Sequence, residues 1–116
     1  MQGAFLQRTA NFADDGREHA DQIAERIMAL GRIAEGTAAV AAERSTLPRY
    51  PLDIAAGAAH IEALSTALAA FGKAARAAID ATAEMGDQVT ADLFTEVALG
   101  IDKDLWLVEA HAQAKG

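Results

Sequence analysis

Asp21 and Glu25 are the two side chains whose type and spacing could hold a cation. They stand four positions apart in ADQIAERIMALG, residues 20–31, so on a helix both carboxylates project from one face about one turn apart. Ile23, Ile27 and Leu30 add an apolar stripe to the same helix at spacings of four and three. A carboxylate pair beside a packing seam is what a helix needs to hold a metal at an interface. Ordinary solvated surface carries the same pair, so the rest of the chain must decide.

Other reactive groups are few. His19, His60 and His111 are the only histidines, and the residues three before them are Gly16, Gly57 and Val108. The Glu-x-x-His pattern of di-metal carboxylate bundles is therefore absent. Zinc-protease motifs are excluded as well, because no two histidines stand four apart, and Cys/His clusters because the chain has no cysteine. Helix-surface or packing roles suit the three histidines. The nine glycines are scattered and form no phosphate loop, and neither Ser45 nor Ser65 sits in a nucleophile elbow. No catalytic residue is identified. Asp87 and Asp92 bracket the start of a helix, where the dipole favours negative side chains and capping accounts for them. The sharper reading is that symmetry copies of these aspartates line a cation-attracting pore.

The elements that must position these groups are helices. Residues 4–31 read as one helix through Phe5, Thr9, Phe12, Gly16, Ala20, Ile23, Ile27 and Leu30, ended by Gly31. Thr37 is the N-cap of a short helix over Ala38 to Glu43. Pro48 and Pro51 hold the chain extended through Arg49 and Tyr50. Asp53 is the expected N-cap of a second long helix, with a seam at Ile54, Ile61, Leu64, Leu68, Phe71, Ala75, Ala78 and Met85 ending at Gly86. Asp87 caps a third, whose seam runs through Phe94, Val97, Ile101, Leu105, Val108 and Ala112. Trp106 lies beside that seam and is expected to anchor packing. The fold class is all-α: three long helices plus a short helix in the middle connection, with no repeat and no strand-like alternation.

Composition agrees with that reading. The 116 residues suit one small domain, 1–116, and 52% are hydrophobic, many of them alanine, against 5% aromatic. Alanine is the best helix former, so this is a composition of closely approaching helices. A formal charge of −7 repels the nucleic-acid backbone, and no run of Lys or Arg offsets it; the tail after Trp106 holds only Lys115. DNA binding is not expected on these grounds. The acidic balance fits attraction of cations. Absence of cysteine, of a membrane-length apolar run and of a signal-peptide pattern gives the expectation of a cytoplasmic protein with no membrane partner.

The chain resembles the Dps family, the miniferritins also called DNA-binding proteins from starved cells. The residues that carry the resemblance are DQIAERIMALG at 21–31, GT at 36–37, LPRYPLDI at 47–54, AFGKAARAAID at 70–80, and TADLFTE with DKDLW across 90–106. The resemblance implies a ferritin-like helical bundle, normally assembled into a hollow dodecamer that oxidises Fe(II), stores the ferric mineral and in many members protects DNA. It implies Asp21 and Glu25 as iron ligands on one chain of a site shared between two subunits, and Asp87 and Asp92 as the aspartates of the threefold pore.

The sequence departs from the family pattern where the chemistry sits. The family's first long helix has no counterpart here, which gives the expectation of an N-terminally truncated domain. The resemblance implies that two histidines and an aspartate from the first helix and the early second helix of the mate complete the site. Counting back from Asp21 without gaps, the second of those histidine positions falls on Leu6 and the aspartate on Ala10, and no histidine precedes His19. Two carboxylates without imidazoles bind iron weakly and with little selectivity. The leading expectation is a miniferritin subunit with an iron-storage and stress-protection role and an incomplete ferroxidase site; the alternative is a structural helical oligomerisation module. Seams exposed by a missing helix seek partners, so a homo-oligomer is expected, either the dodecamer or a smaller swapped assembly.

Overall fold

Three 28-residue helices and one short helix account for the chain. They are α1 (Gln2–Ala29), α2 (Ala38–Arg44), α3 (Gly57–Glu84) and α4 (Gln88–Lys115). The computed structural model describes the backbone of residues 2–115 and the side chains of residues 10–112. No strand occurs among the described residues. The all-α class and the order of long and short helices are those expected from the periodicity.

The chain forms two compact units, Met1–Thr46 and Leu47–Gly116. In the first, α1 closes with Gly31 at φ 83°, a left-handed turn that glycine adopts without steric penalty. The Gly31 N–H donates to the Met28 carbonyl and the Arg32 N–H to the Ile27 carbonyl, at 3.0 and 3.1 Å, which satisfies carbonyls the helix would leave open. Phe12, Ile23 and Ile27 are half-buried as their seam requires, whereas Gly16, Ala20 and Leu30 are exposed. Phe5 and Thr9 lie outside the described side chains. Thr37 caps α2 as expected, its hydroxyl accepting from the Val40 N–H at 3.3 Å.

The second unit is an α3–α4 hairpin preceded by the proline segment. Its turn repeats the device at Gly31. Gly86 takes φ 82°, and the Gly86 and Asp87 N–H groups donate to the Ala83 and Thr82 carbonyls at 3.0 and 2.9 Å. A connection this short makes the helices antiparallel neighbours. Their shared core is Ala75, Val97, Ala98 and Ile101, with Leu68, Phe71, Ile79 and Leu93 packed around it. Gly72 is buried in the hairpin; a Cβ there would sit 3.2 Å from Arg76 Nη1 and 3.5 Å from Ile101 Cγ2 of α4. Arg76 clasps Asp102 across the hairpin, Nη2 lying 2.6 and 2.5 Å from the two carboxylate oxygens. Both partners are about half exposed, so this bridge contributes at most about 1 kcal/mol.

Two expectations are corrected. Asp53 does not cap α3: the helix starts at Gly57, and its N-cap is Ala56, which makes no side-chain capping bond. The proline segment bends through 52–56 before the helix begins, because Tyr50 and Ile54 are drawn onto its first turns. Trp106 is not an anchor of the hairpin core. It is 65% exposed, on the side of α4 away from buried Val97, Ile101 and Val108.

Candidate functional site

On α1, Asp21 and Glu25 are both exposed and lie on the side away from half-buried Phe12, His19, Ile23 and Arg26. Among the described residues neither is engaged in a hydrogen bond or ion pair, so both keep their full acceptor capacity. The structure also shows what the motif alone hid: Asp14 and Glu18 are exposed on that side too, at spacings of four, three and four with Asp21 and Glu25. The row 14, 18, 21, 25 is readable in the sequence once every acidic residue is placed on the helix. Arg17 neutralises its first member, Nη1 standing 3.0 Å from Asp14 Oδ1.

The donor set is oxygen only. Among the described residues, no group of three His, Cys, Asp or Glu side chains is placed to hold a metal ion. A pair of exposed carboxylates suits loose attraction of divalent cations; a selective iron centre needs further ligands, imidazoles above all. As one chain stands, Asp21 and Glu25 therefore fit the acidic edge of a metal site and not a whole one.

Asp87 immediately precedes α4 and Asp92 is its fifth residue, and the two differ in what they do there. Asp87 is half-buried and caps the helix, as its position predicts. Its Oδ1 accepts from the Thr90 N–H at 3.1 Å and its Oδ2 from the Thr90 hydroxyl at 2.5 Å. Asp92 is exposed and accepts one bond, from Gln88 Nε2 at 2.8 Å. Asp92 is the more exposed of the two carboxylates.

The histidines are dispersed. His60 Nδ1 lies 2.7 Å from the Tyr50 hydroxyl, His111 Nδ1–H donates to the Leu107 carbonyl one turn back at 3.0 Å, and His19 is half-buried in α1. Buried Asp104, 5% exposed, sits on the inner side of α4 and is an ionisable residue that periodicity gave no reason to single out.

Residues 5–114 match the Ferritin-like domain family. The chain belongs to that family, among its Dps members. It is 40% identical over 97 residues to a DNA protection during starvation protein of Agrobacterium fabrum, a match covering 84% of this chain and 60% of that protein. A protein of the same name from Mycolicibacterium smegmatis is 30% identical over 100 residues, covering 86% of this chain and 54% of the relative. Among solved structures, a mutant of Mycobacterium smegmatis Dps1 superposes with a TM-score of 0.83 at 28% identity, over 90% of this chain and 70% of that one. The chain thus spans a little over half the length of the curated relatives it matches.

α4 also carries large apolar side chains on its exposed side. Leu99 and Trp106, seven residues apart on α4, stack along one side and are 66% and 65% exposed. Large apolar side chains left in water on the outer side of a helix mark a surface that another chain can cover. No helix among the described residues is long and apolar enough to cross a membrane.

Proposed function

We propose that the chain is a subunit of a Dps-type miniferritin whose cargo is iron, and that it protects the cell against iron-driven oxidation by taking that metal up. The observation that carries this reading is the exposed, unengaged Asp21–Glu25 pair on α1, in a chain that shares 40% identity with a starvation-protection protein. In this reading a second copy covers the α1 face, and the two carboxylates contribute oxygen ligands to iron bound between subunits. Asp92 and Asp87 serve the entry path as symmetry copies raise the local negative potential. The assembly is a homo-oligomer, a dodecamer or a smaller set, and works in the cytoplasm.

The physical argument is one of potential and ligand number. A net charge of −7, with four carboxylates along one side of α1, concentrates cations near the pair. Two oxygens hold them weakly, and closure by a second subunit raises the ligand count where no single chain can.

Aerobic addition of Fe(II) to the purified assembly tests this. The expected result is a soluble ferric core that co-elutes with the protein and scatters electrons. Iron that precipitates as it does in buffer alone, from an assembly of intact native mass, overturns the iron role and leaves a structural oligomerisation module.

A further inference from the structure

Tyr50 and His60 form a pair that iron uptake does not use. The hydroxyl and Nδ1 lie 2.7 Å apart, and the two rings stack with centroids 5.9 Å apart and planes 22° from parallel. Tyr50 belongs to the segment between Pro48 and Pro51, and His60 to the first turn of α3. The prolines restrict the segment, so the contact is held with little ordering left to do. An open groove of about 300 Å³ lies alongside, lined by Tyr50 together with Pro48, Arg49, Ile54 and Glu62. Small solutes therefore reach the phenol. Tyr50 is also the only tyrosine in the chain.

A phenol gives up an electron with difficulty unless its proton leaves in the same event, because the cation radical is a strong acid. A neutral imidazole at hydrogen-bond distance is the side chain best suited to take that proton near neutral pH. With the ring proton on Nε2, the Tyr50 hydroxyl donates to the Nδ1 lone pair. We propose that Tyr50 is a proton-coupled electron donor, with His60 as its proton acceptor, that quenches one-electron oxidants of the oxygen-radical class.

The step balances. Tyr50 loses one electron to the oxidant while its O–H bond breaks and the proton passes to Nδ1. This leaves a neutral phenoxyl radical beside an imidazolium. A hydroxyl radical so reduced becomes hydroxide and takes a proton from solvent to form water. A diffusible one-electron reductant of the ascorbate class then returns the electron, and Nδ1 returns the proton. Nothing in this sequence requires bound iron, so it stands or falls apart from the iron reading.

The test uses the iron-free chain carrying Trp106→Phe, which leaves Tyr50 as the sole readily oxidised ring. Photogenerated tris(bipyridine)ruthenium(III) is the oxidant, and the phenoxyl radical is followed by its optical band and by electron paramagnetic resonance. The expected result is rapid radical formation, slower in deuterium oxide, and lost with Tyr50→Phe. His60→Ala is expected to slow it about tenfold or more, and added free imidazole to restore the rate. Circular dichroism checks that the variant is folded. Radical formation at an unchanged rate in His60→Ala, or a folded His60→Ala protein that imidazole does not rescue, overturns the proposal.

Discussion

Asp87 holds Thr90 with both carboxylate oxygens, one taking the backbone N–H at 3.1 Å and the other the hydroxyl at 2.5 Å. The same Asp87 donates its own N–H to the Thr82 carbonyl at 2.9 Å, so one residue finishes α3 and starts α4. The hairpin is thereby fixed at its turn, and the core at Val97 and Ile101 is brought into register by local bonds as well as by burial.

That arrangement separates the two aspartates at the head of α4. Asp87→Ala removes the cap and is expected to destabilise the hairpin by about 1–2 kcal/mol, read as a lower denaturation midpoint in urea. Asp92→Asn keeps a hydrogen-bond acceptor for Gln88 on an exposed site and is expected to change stability by less than about 0.5 kcal/mol. If Asp92 serves cation entry, the same Asp92→Asn variant slows iron uptake at unchanged stability. Uptake indistinguishable from the parent removes Asp92 from the path.

Identical substitutions at two glycines are expected to act in opposite directions. Gly16 lies inside α1, and an added Cβ there meets nothing within 4 Å. Gly16→Ala should raise stability by about 0.5–1 kcal/mol, through helix propensity and a less free unfolded chain. Gly86 has the same open space but φ 82°, where an L side chain is strained. Gly86→Ala should therefore lower stability by about 1 kcal/mol or more. Thermal melts of the two variants beside the parent decide the matter by the sign of each shift.

Local signals of this kind were what the sequence expressed well. Thr37, Gly31, Gly86 and Asp87 each terminate or begin a helix through bonds within a few residues, so their roles could be inferred without knowing any packing. Asp53 misled because its place depends on a contact ten residues long: Tyr50 bonds His60, and the chain between them must loop before α3 can start. Trp106 misled for a geometric reason. It stands five residues after Ile101, which on a helix turns it about 140° from the buried seam, and size alone suggested burial. The candidate carboxylates Asp21 and Glu25 were visible in the sequence; ligands from a second copy, which the proposed function calls for, are not encoded in a single chain's pattern.

Leu99 and Trp106 provide a test of assembly that leaves the hairpin intact. Both project opposite the buried residues of α4, so Leu99→Glu with Trp106→Glu should leave helix content unchanged. A covered tryptophan removes on the order of 150–250 Å² from water, and a charge in its place opposes that burial. The double variant is expected to show a lower native mass than the parent. The parent's tryptophan emission should shift to shorter wavelength as concentration rises. A parent that stays monomeric at all concentrations, or a double variant of undiminished mass, excludes this side of α4 as a contact.

Duplex DNA gives a further check of the charge argument. At a net charge of −7 the chain repels phosphate, and neutralisation of several phosphates by clustered Lys or Arg is what non-specific binding requires. No shift of duplex DNA is expected in a gel at physiological salt. A salt-sensitive shift would reveal a basic surface formed only on assembly.

The acidic row on α1 allows the iron reading to be graded instead of merely switched off. Asp21 and Glu25 are the candidate ligands, whereas Glu18 lies on the same side and contributes mainly potential. Glu18→Gln should therefore reduce the initial rate of iron uptake modestly, and the loss should shrink as salt rises, since screening removes a distant charge's influence. Asp21→Ala with Glu25→Ala removes oxygen ligands outright, and its loss of uptake should persist at high salt. Stopped-flow Fe(II) uptake at two ionic strengths distinguishes the cases. Equal salt dependence in both variants would mean that Asp21 and Glu25 act only as surface charge, and iron would have to be bound elsewhere in the assembly.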